Sequence, residues 1–261
     1  MRFRLRGASY IAVLVASASA ARAQEADLAR SATPANSALT AVADGSFLPL
    51  TLSPRVGSTQ VFAFGSGGYD SLRASPLVDA AAEARIWGPI AVRAQTTYSA
   101  DTRRMRPSLG GRAQLLRQEK HGVDGALTVF FKTEGFTETE GEIETFASFG
   151  RRFEQLSVMA DLVYGQDPEG NERDGEIRAA AFHQHRWLAY GIDSRARFAL
   201  GAQHGRAATT EPVFDFQAGP VATAAAGPAA IFAEIGPSAF QMDHSPTHVG
   251  VAALVGLGAA Y

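Results

Sequence analysis

The chain has 261 residues, 24 lysines and arginines against 26 aspartates and glutamates, and no cysteine. A net charge of -2 argues against general affinity for nucleic acid, and the missing thiols exclude disulfide frameworks, cysteine-ligated zinc, iron–sulfur clusters and thiol catalysis. A hydrophobic content of 46% is too low for a bundle of membrane helices.

The first residues read as an export signal. Arg2, Arg4 and Arg6 precede an apolar stretch over residues 8–20, and Ala21-Arg22-Ala23 has the small-x-small pattern of a signal peptidase site. Cleavage is expected after Ala23, which makes residues 1–23 a signal peptide. The apolar stretch is shorter than the ~18–20 residues needed to span a bilayer as a helix. Residues 24–58 are rich in Ala, Ser, Thr and Pro with weak periodicity, and are expected to form a periplasmic extension or a plug.

From residue 59 onward the hydrophobic period is two. In 77–86, Val78, Ala80, Ala82, Ala84 and Ile86 alternate with Leu77, Asp79, Ala81, Glu83 and Arg85, giving one apolar and one charged face. Trp87-Gly88-Pro89 turns the chain, and 90–99 repeats the design, so the pair reads as a hairpin. Continued to Tyr261, the pattern predicts strands near 60–66, 77–86, 90–99, 109–117, 123–132, 143–149, 155–165, 176–183, 188–200, 213–224, 229–236 and 248–261. Twelve strands is an even number. The connections 87–89, 118–122, 150–154, 184–187 and 225–228 are short, whereas 67–76, 100–108, 133–142, 166–175, 201–212 and 237–247 are longer and polar. This asymmetry fits a transmembrane barrel with short periplasmic turns and longer extracellular loops better than a soluble sandwich. Tyr98, Phe131, Tyr164, Phe214 and Phe216 then fall at one rim, and Trp87, Phe149, Tyr190 and Tyr261 at the other, as two interfacial girdles require.

The last segment, HVGVAALVGLGAAY, alternates Val249, Val251, Ala253, Val255, Leu257, Ala259 and Tyr261 with Gly250, Ala252, Leu254, Gly256, Gly258 and Ala260 and ends on an aromatic. It resembles the C-terminal assembly signal of bacterial outer-membrane β-barrel proteins. The resemblance implies a twelve-stranded antiparallel up-and-down transmembrane barrel over 59–261 in the outer membrane. It also implies that Val255, Leu257 and Tyr261 are presented to the barrel-assembly machinery. Ala253 and Ala259 are smaller than the residues usual in that signal.

On such a barrel the alternation assigns Asp79, Glu83, Arg85, Arg93, Arg112, Asp124, Lys132, Glu144, Asp161, Glu176, Arg178, Asp193, Arg195, Arg197, Asp215 and Glu234 to the lumen, because charges facing lipid are costly. Mixed signs argue against a strongly anion- or cation-selective filter. The function expected is a passive, weakly selective path for small solutes. The alternative is a closed structural or surface-interaction barrel acting through its extracellular loops. Outer-membrane lipid and lipopolysaccharide are the expected surroundings.

Catalytic candidates are sparse, and no enzymatic activity is expected. His183 and His185 share one strand face without an adjacent acid, and Asp243, His244, Ser245 and His248 cluster near the last loop. Outer-membrane phospholipases place His and Ser two apart on one strand face, whereas His244 and Ser245 are adjacent and point oppositely. Glu134, Glu138, Glu140, Glu142 and Glu144 read as an acidic loop, with Arg103, Arg104 and Arg106 as a counterpart in the preceding loop. No phosphate loop, nucleophile elbow or dinucleotide fingerprint is present, so no cofactor and no metal is expected.

Overall fold

The computed structural model describes residues 37–57, 59–99, 103–137, 140–168, 173–200 and 212–261. The expected signal peptide, and residues 24–36 of the segment that follows it, lie outside the described residues. A helix α1 (Ser37–Ala43) comes first. It is followed by β1 (Val61–Asp70), β2 (Ser75–Trp87), β3 (Ile90–Ser99), β4 (Arg104–Leu116), a helical turn α2 (Gln118–His121), β5 (Asp124–Thr133) and β6 (Gly141–Phe153). Then come β7 (Leu156–Gln166), β8 (Arg173–His185), β9 (Leu188–Ala199), β10 (Phe214–Ala226), β11 (Ala229–Gln241) and β12 (His248–Ala260).

Each strand pairs antiparallel with the next, and β1 pairs with β12, so the twelve strands form a closed barrel in meander order. Closure leaves no edge strand, so backbone groups along the wall face a neighbouring strand rather than the surroundings. The seam holds register from Phe62 opposite Ala260 to Asp70 opposite Ala252, and the Tyr261 amide and carbonyl add bonds to Val61 and Gln60.

At one end of the barrel, hereafter the turn end, β2–β3, β6–β7, β8–β9 and β10–β11 are joined by two residues each. In each pair the first residue has positive φ: Gly88 (49°), Glu154 (51°), Arg186 (55°) and Gly227 (61°). Positive φ at that position alone is the pattern of the type II′ turn, whose twist matches that of the flanking strands. The β4–β5 connection contains α2 in place of a simple turn, closed by Gly122 in the left-handed region (φ 78°). At the opposite, loop end two connections are four residues long, 71–74 and 100–103, and the others run from six to fourteen. Residues 71–74 form a four-residue turn, shorter than the loop expected over 67–76, because β1 and β2 run on to pair Asp70 with Ser75. Other strands likewise extend beyond the expected spans: β4 begins at Arg104, β6 at Gly141, and β11 continues to Gln241.

The outward positions hold Ile86, Val92, Leu109, Val129, Ile143, Leu162, Ile177, Ile192, Ile231, Ile235, Val255 and Leu257, all exposed. So continuous an apolar exterior is unfavourable in water and suited to a lipid environment. Among the described residues no helix is long and apolar enough to cross a membrane.

Candidate functional site

The core of this molecule lies inside the cylinder, where residues 37–57 are packed. Seven-residue α1 is too short to be stable alone. Its Ala38, Ala41 and Val42 are buried against the inner faces of β9–β12, and the Ser37 hydroxyl donates to the Ala260 carbonyl at the turn end. Phe47 packs edge-on to Phe62 of β1 at 6.0 Å, in space left by Gly258, where a Cβ would lie 2.3 Å from the Phe47 ring.

Residues 48–57 cross the lumen without regular structure, so their backbone groups need partners other than a ladder. The lumen side chains supply them. Asp193 of β9 accepts the amides of Leu50 (2.9 Å) and Thr51 (3.3 Å) and the Thr51 hydroxyl (2.5 Å). Asp161 of β7 accepts the Leu52 amide at 2.7 Å. Arg178 of β8 donates to the Leu50 carbonyl at 3.0 Å, Arg112 of β4 to the Ser53 carbonyl and Arg85 of β2 to the Gly57 carbonyl at 3.3 Å, while Arg152 of β6 caps the end of α1 at the Ala43 carbonyl. Leu52 also packs on the Phe130–Phe146 pair.

The segment returns charges of its own. Arg55 lies 2.8 Å from Asp44 and 2.6 Å from Asp124, and Asp44 also meets Arg152 at 2.9 Å. Burial disfavours the charged Arg55 guanidinium, but Asp44 and Asp124 beside it outweigh that cost and hold its pKa above the ordinary arginine value. Glu83 pairs with Arg112 and, at 3.7 Å, with Arg93, whose guanidinium also lies 5.5 Å from the Phe62 ring centre and 5.6 Å from that of Phe64.

Above this floor, towards the loop end, a cavity of about 230 Å³ remains. Leu48–Leu52 form its base, and Asp79, Arg93, Lys132, Glu144, Asp174, Glu176, Arg178, Arg195, Arg197 and Asp215 line its wall. The wall is a belt of alternating charge. Lys132 lies 2.6 Å from Glu144 and 3.5 Å from Glu142; Arg178 lies 2.7 Å and Arg195 3.6 Å from Glu176; Asp215 joins Arg195 and Arg73, each at 3.1 Å; and Arg197 pairs with Asp174. Neither sign is left in clear excess. Such a surface suits small polar or zwitterionic solutes better than ions of one sign.

The charges assigned to the lumen thus divide into two groups. Glu83, Arg85, Arg112 and Asp161 surround the threaded segment, whereas Asp79, Arg93, Lys132, Arg195, Arg197 and Asp215 line the cavity, with Arg178 touching both. Glu234 of β11 is buried and accepts a hydrogen bond from Gln217 at 3.3 Å. The sequence reading missed Asp44, Thr51, Ser53 and Arg55 as binding partners; their one signal was two opposite charges, Asp44 and Arg55, in a stretch otherwise poor in them. The expected acidic loop also divides. Glu142 and Glu144 sit inside β6 and grip Lys132, Glu134 pairs with Arg106, and Glu138 lies outside the described residues.

The catalytic candidates do not converge. His183 and His185 occupy outward positions on β8, with the His183 ring 5.5 Å from Tyr190. His244 lies 3.6 Å from Asp243 in an open loop, both strongly exposed. Among the described residues, no group of three or more His, Asp or Glu side chains is arranged to hold a metal ion.

No protein-family model and no curated protein matches the chain. Solved structures do. The NanC porin superposes with a TM-score of 0.57 at 6% identity, over 76% of this chain and 100% of the porin. The outer-membrane channel DcaP of Acinetobacter baumannii (TM-score 0.43, 9% identity, 77% and 71% of the two chains) and the translocator domain of the autotransporter NalP from Neisseria meningitidis (0.43, 11%, 92% and 97%) are more distant. The chain therefore shares the fold of outer-membrane β-barrels.

Proposed function

We propose that this protein is an outer-membrane β-barrel whose bore is stoppered by its own residues 37–57, and that it passes small polar solutes when that segment shifts. The observation that supports this reading is the base of the cavity. Leu48–Leu52 close it, and those same residues are held by Asp193, Asp161 and Arg178 rather than by apolar packing alone. Hydrogen bonds to side chains can exchange for water, so this closure is reversible in principle, unlike a filled apolar core.

On this reading the turn end faces the periplasm and the loop end the cell exterior, among lipopolysaccharide. Residues 1–23 direct export, and Val255, Leu257 and Tyr261 serve as the assembly signal. All three are exposed on the outer face, where assembly machinery can reach them. The test is efflux of small sugars from proteoliposomes. The wild-type chain is expected to release them slowly, and Asp161→Ala combined with Asp193→Ala rapidly. Equal, slow release from both, with both folded and inserted, favours the second reading, a permanently closed barrel acting through its loops.

A further inference from the structure

The outer surface of the barrel is nearly free of charge, which makes its exceptions informative. Along all twelve strands the outward positions carry apolar, small or uncharged polar side chains, apart from the histidines of β8 and two arginines, Arg151 of β6 and Arg173 of β8. Arg173 is the first residue of its strand, at the loop end. Arg151 is different. It lies two residues inside the turn end of β6, exposed, with its guanidinium 4.8 Å from the centre of the Phe153 ring, and it makes no ion pair with a described residue.

Its neighbours along the same rim are polar-tipped and aromatic. Arg151 stands opposite Val158, Leu156 opposite His183, and His183 opposite Tyr190, so the strip runs across β6–β9. Arg186 and the exposed Trp187 form the β8–β9 turn at its edge; the acidic side chains of the neighbouring connections are Glu154 and, in α2 beside Arg117 and Lys120, Glu119. A guanidinium on a lipid-facing wall is costly unless its long stem carries it to a polar partner. The described residues offer Arg151 none. The headgroup layer offers phosphate, which matches the guanidinium fork, and aromatic rings prefer the same depth.

We propose that Arg151, with Arg186 and the rings of Phe153, His183, Trp187 and Tyr190, forms a seat for the phosphate of an anionic phospholipid in the leaflet at the turn end. The proposal rests on the membrane residence argued above. Arg151 and Arg186 with Arg117 and Lys120, against Glu154 and Glu119, give this part of the rim a positive balance that favours an anionic headgroup over a zwitterionic one.

The chain has two tryptophans, which supply both a probe and a control. Trp187 borders the strip, and Trp87 ends β2, four strands away from β6. The full-length chain is reconstituted as Trp87→Phe or Trp187→Phe in phosphatidylcholine vesicles containing brominated phosphatidylglycerol or brominated phosphatidylcholine as the minority quencher. Trp187 is expected to be quenched with about fivefold preference by the phosphatidylglycerol. Trp87 is expected to show no preference, and Arg151→Gln to abolish that of Trp187. Quenching of both tryptophans by both lipids without preference, or a preference that survives Arg151→Gln, overturns the lipid seat and leaves membrane residence intact. Failure of either lipid to quench either tryptophan in folded protein overturns membrane residence itself.

Discussion

The carboxylate of Asp193, on the inner wall of β9, accepts the backbone amide of Leu50 at 2.9 Å across 143 positions of sequence. That contact joins the two halves of the molecule, the regular wall and the irregular segment threaded through it. The Thr51 amide and hydroxyl share the same carboxylate. Asp193→Ala leaves two amides inside the barrel without their acceptor and is expected to cost about 3 kcal/mol, whereas Thr51→Val removes one hydroxyl bond and costs about 1 kcal/mol. Urea unfolding in micelles, followed by tryptophan emission, measures both. Equal costs would show that the carboxylate is not what holds the backbone.

Arg112 is almost wholly buried and binds Glu83, the Ser53 carbonyl and Thr128. Arg112→Leu strands the Glu83 carboxylate with Arg93 alone and should cost about 3–5 kcal/mol. Adding Glu83→Gln should recover part of that loss, because the second substitution removes the stranded charge. Additive costs in the double-mutant cycle would rule out a coupled pair.

The two faces of the wall make opposite demands. Val129 points outward from β5 and Thr97 inward from β3, into the cavity wall. Val129→Arg is expected to destabilise the folded barrel in lipid by about 2–4 kcal/mol, and Thr97→Arg by far less. Comparing the folded fraction of each variant in vesicles by heat-dependent gel mobility decides this, and the opposite ranking would mean that the faces are exchanged.

Gly258 and Phe47 offer a way to disturb the stopper without touching its hydrogen bonds. A Cβ at position 258 would press on the Phe47 ring, which can give way only by moving away from β12. Gly258→Ala should therefore leave the circular dichroism of the strands intact while speeding proteolysis within residues 37–57. Unchanged cleavage would show that the ring repacks in place.

Much of the wall was legible because alternation is local. Val78 to Ile86 against Leu77 to Arg85 states which residues face in, and the antiparallel register follows once turns such as Gly88–Pro89 are recognised. Strand ends were less legible. Glu142 and Glu144 look like a solvated acidic run until Lys132, on the neighbouring strand, is placed beside them. Residues 37–57 were the least legible part. Their conformation is fixed by partners such as Asp193, Asp161 and Arg178, more than a hundred positions away, and no periodicity within the segment records those contacts.

On the function proposed above, residues 37–57 close the bore and the wall does not. Single-channel recording of the folded full-length chain in a planar bilayer, beside the Asp161→Ala and Asp193→Ala double variant, decides between them. A stoppered bore gives a mostly silent wild type with rare openings, and frequent discrete steps from the variant. A wild type that is steadily open, or a folded and inserted variant that stays as silent as the wild type, would contradict it.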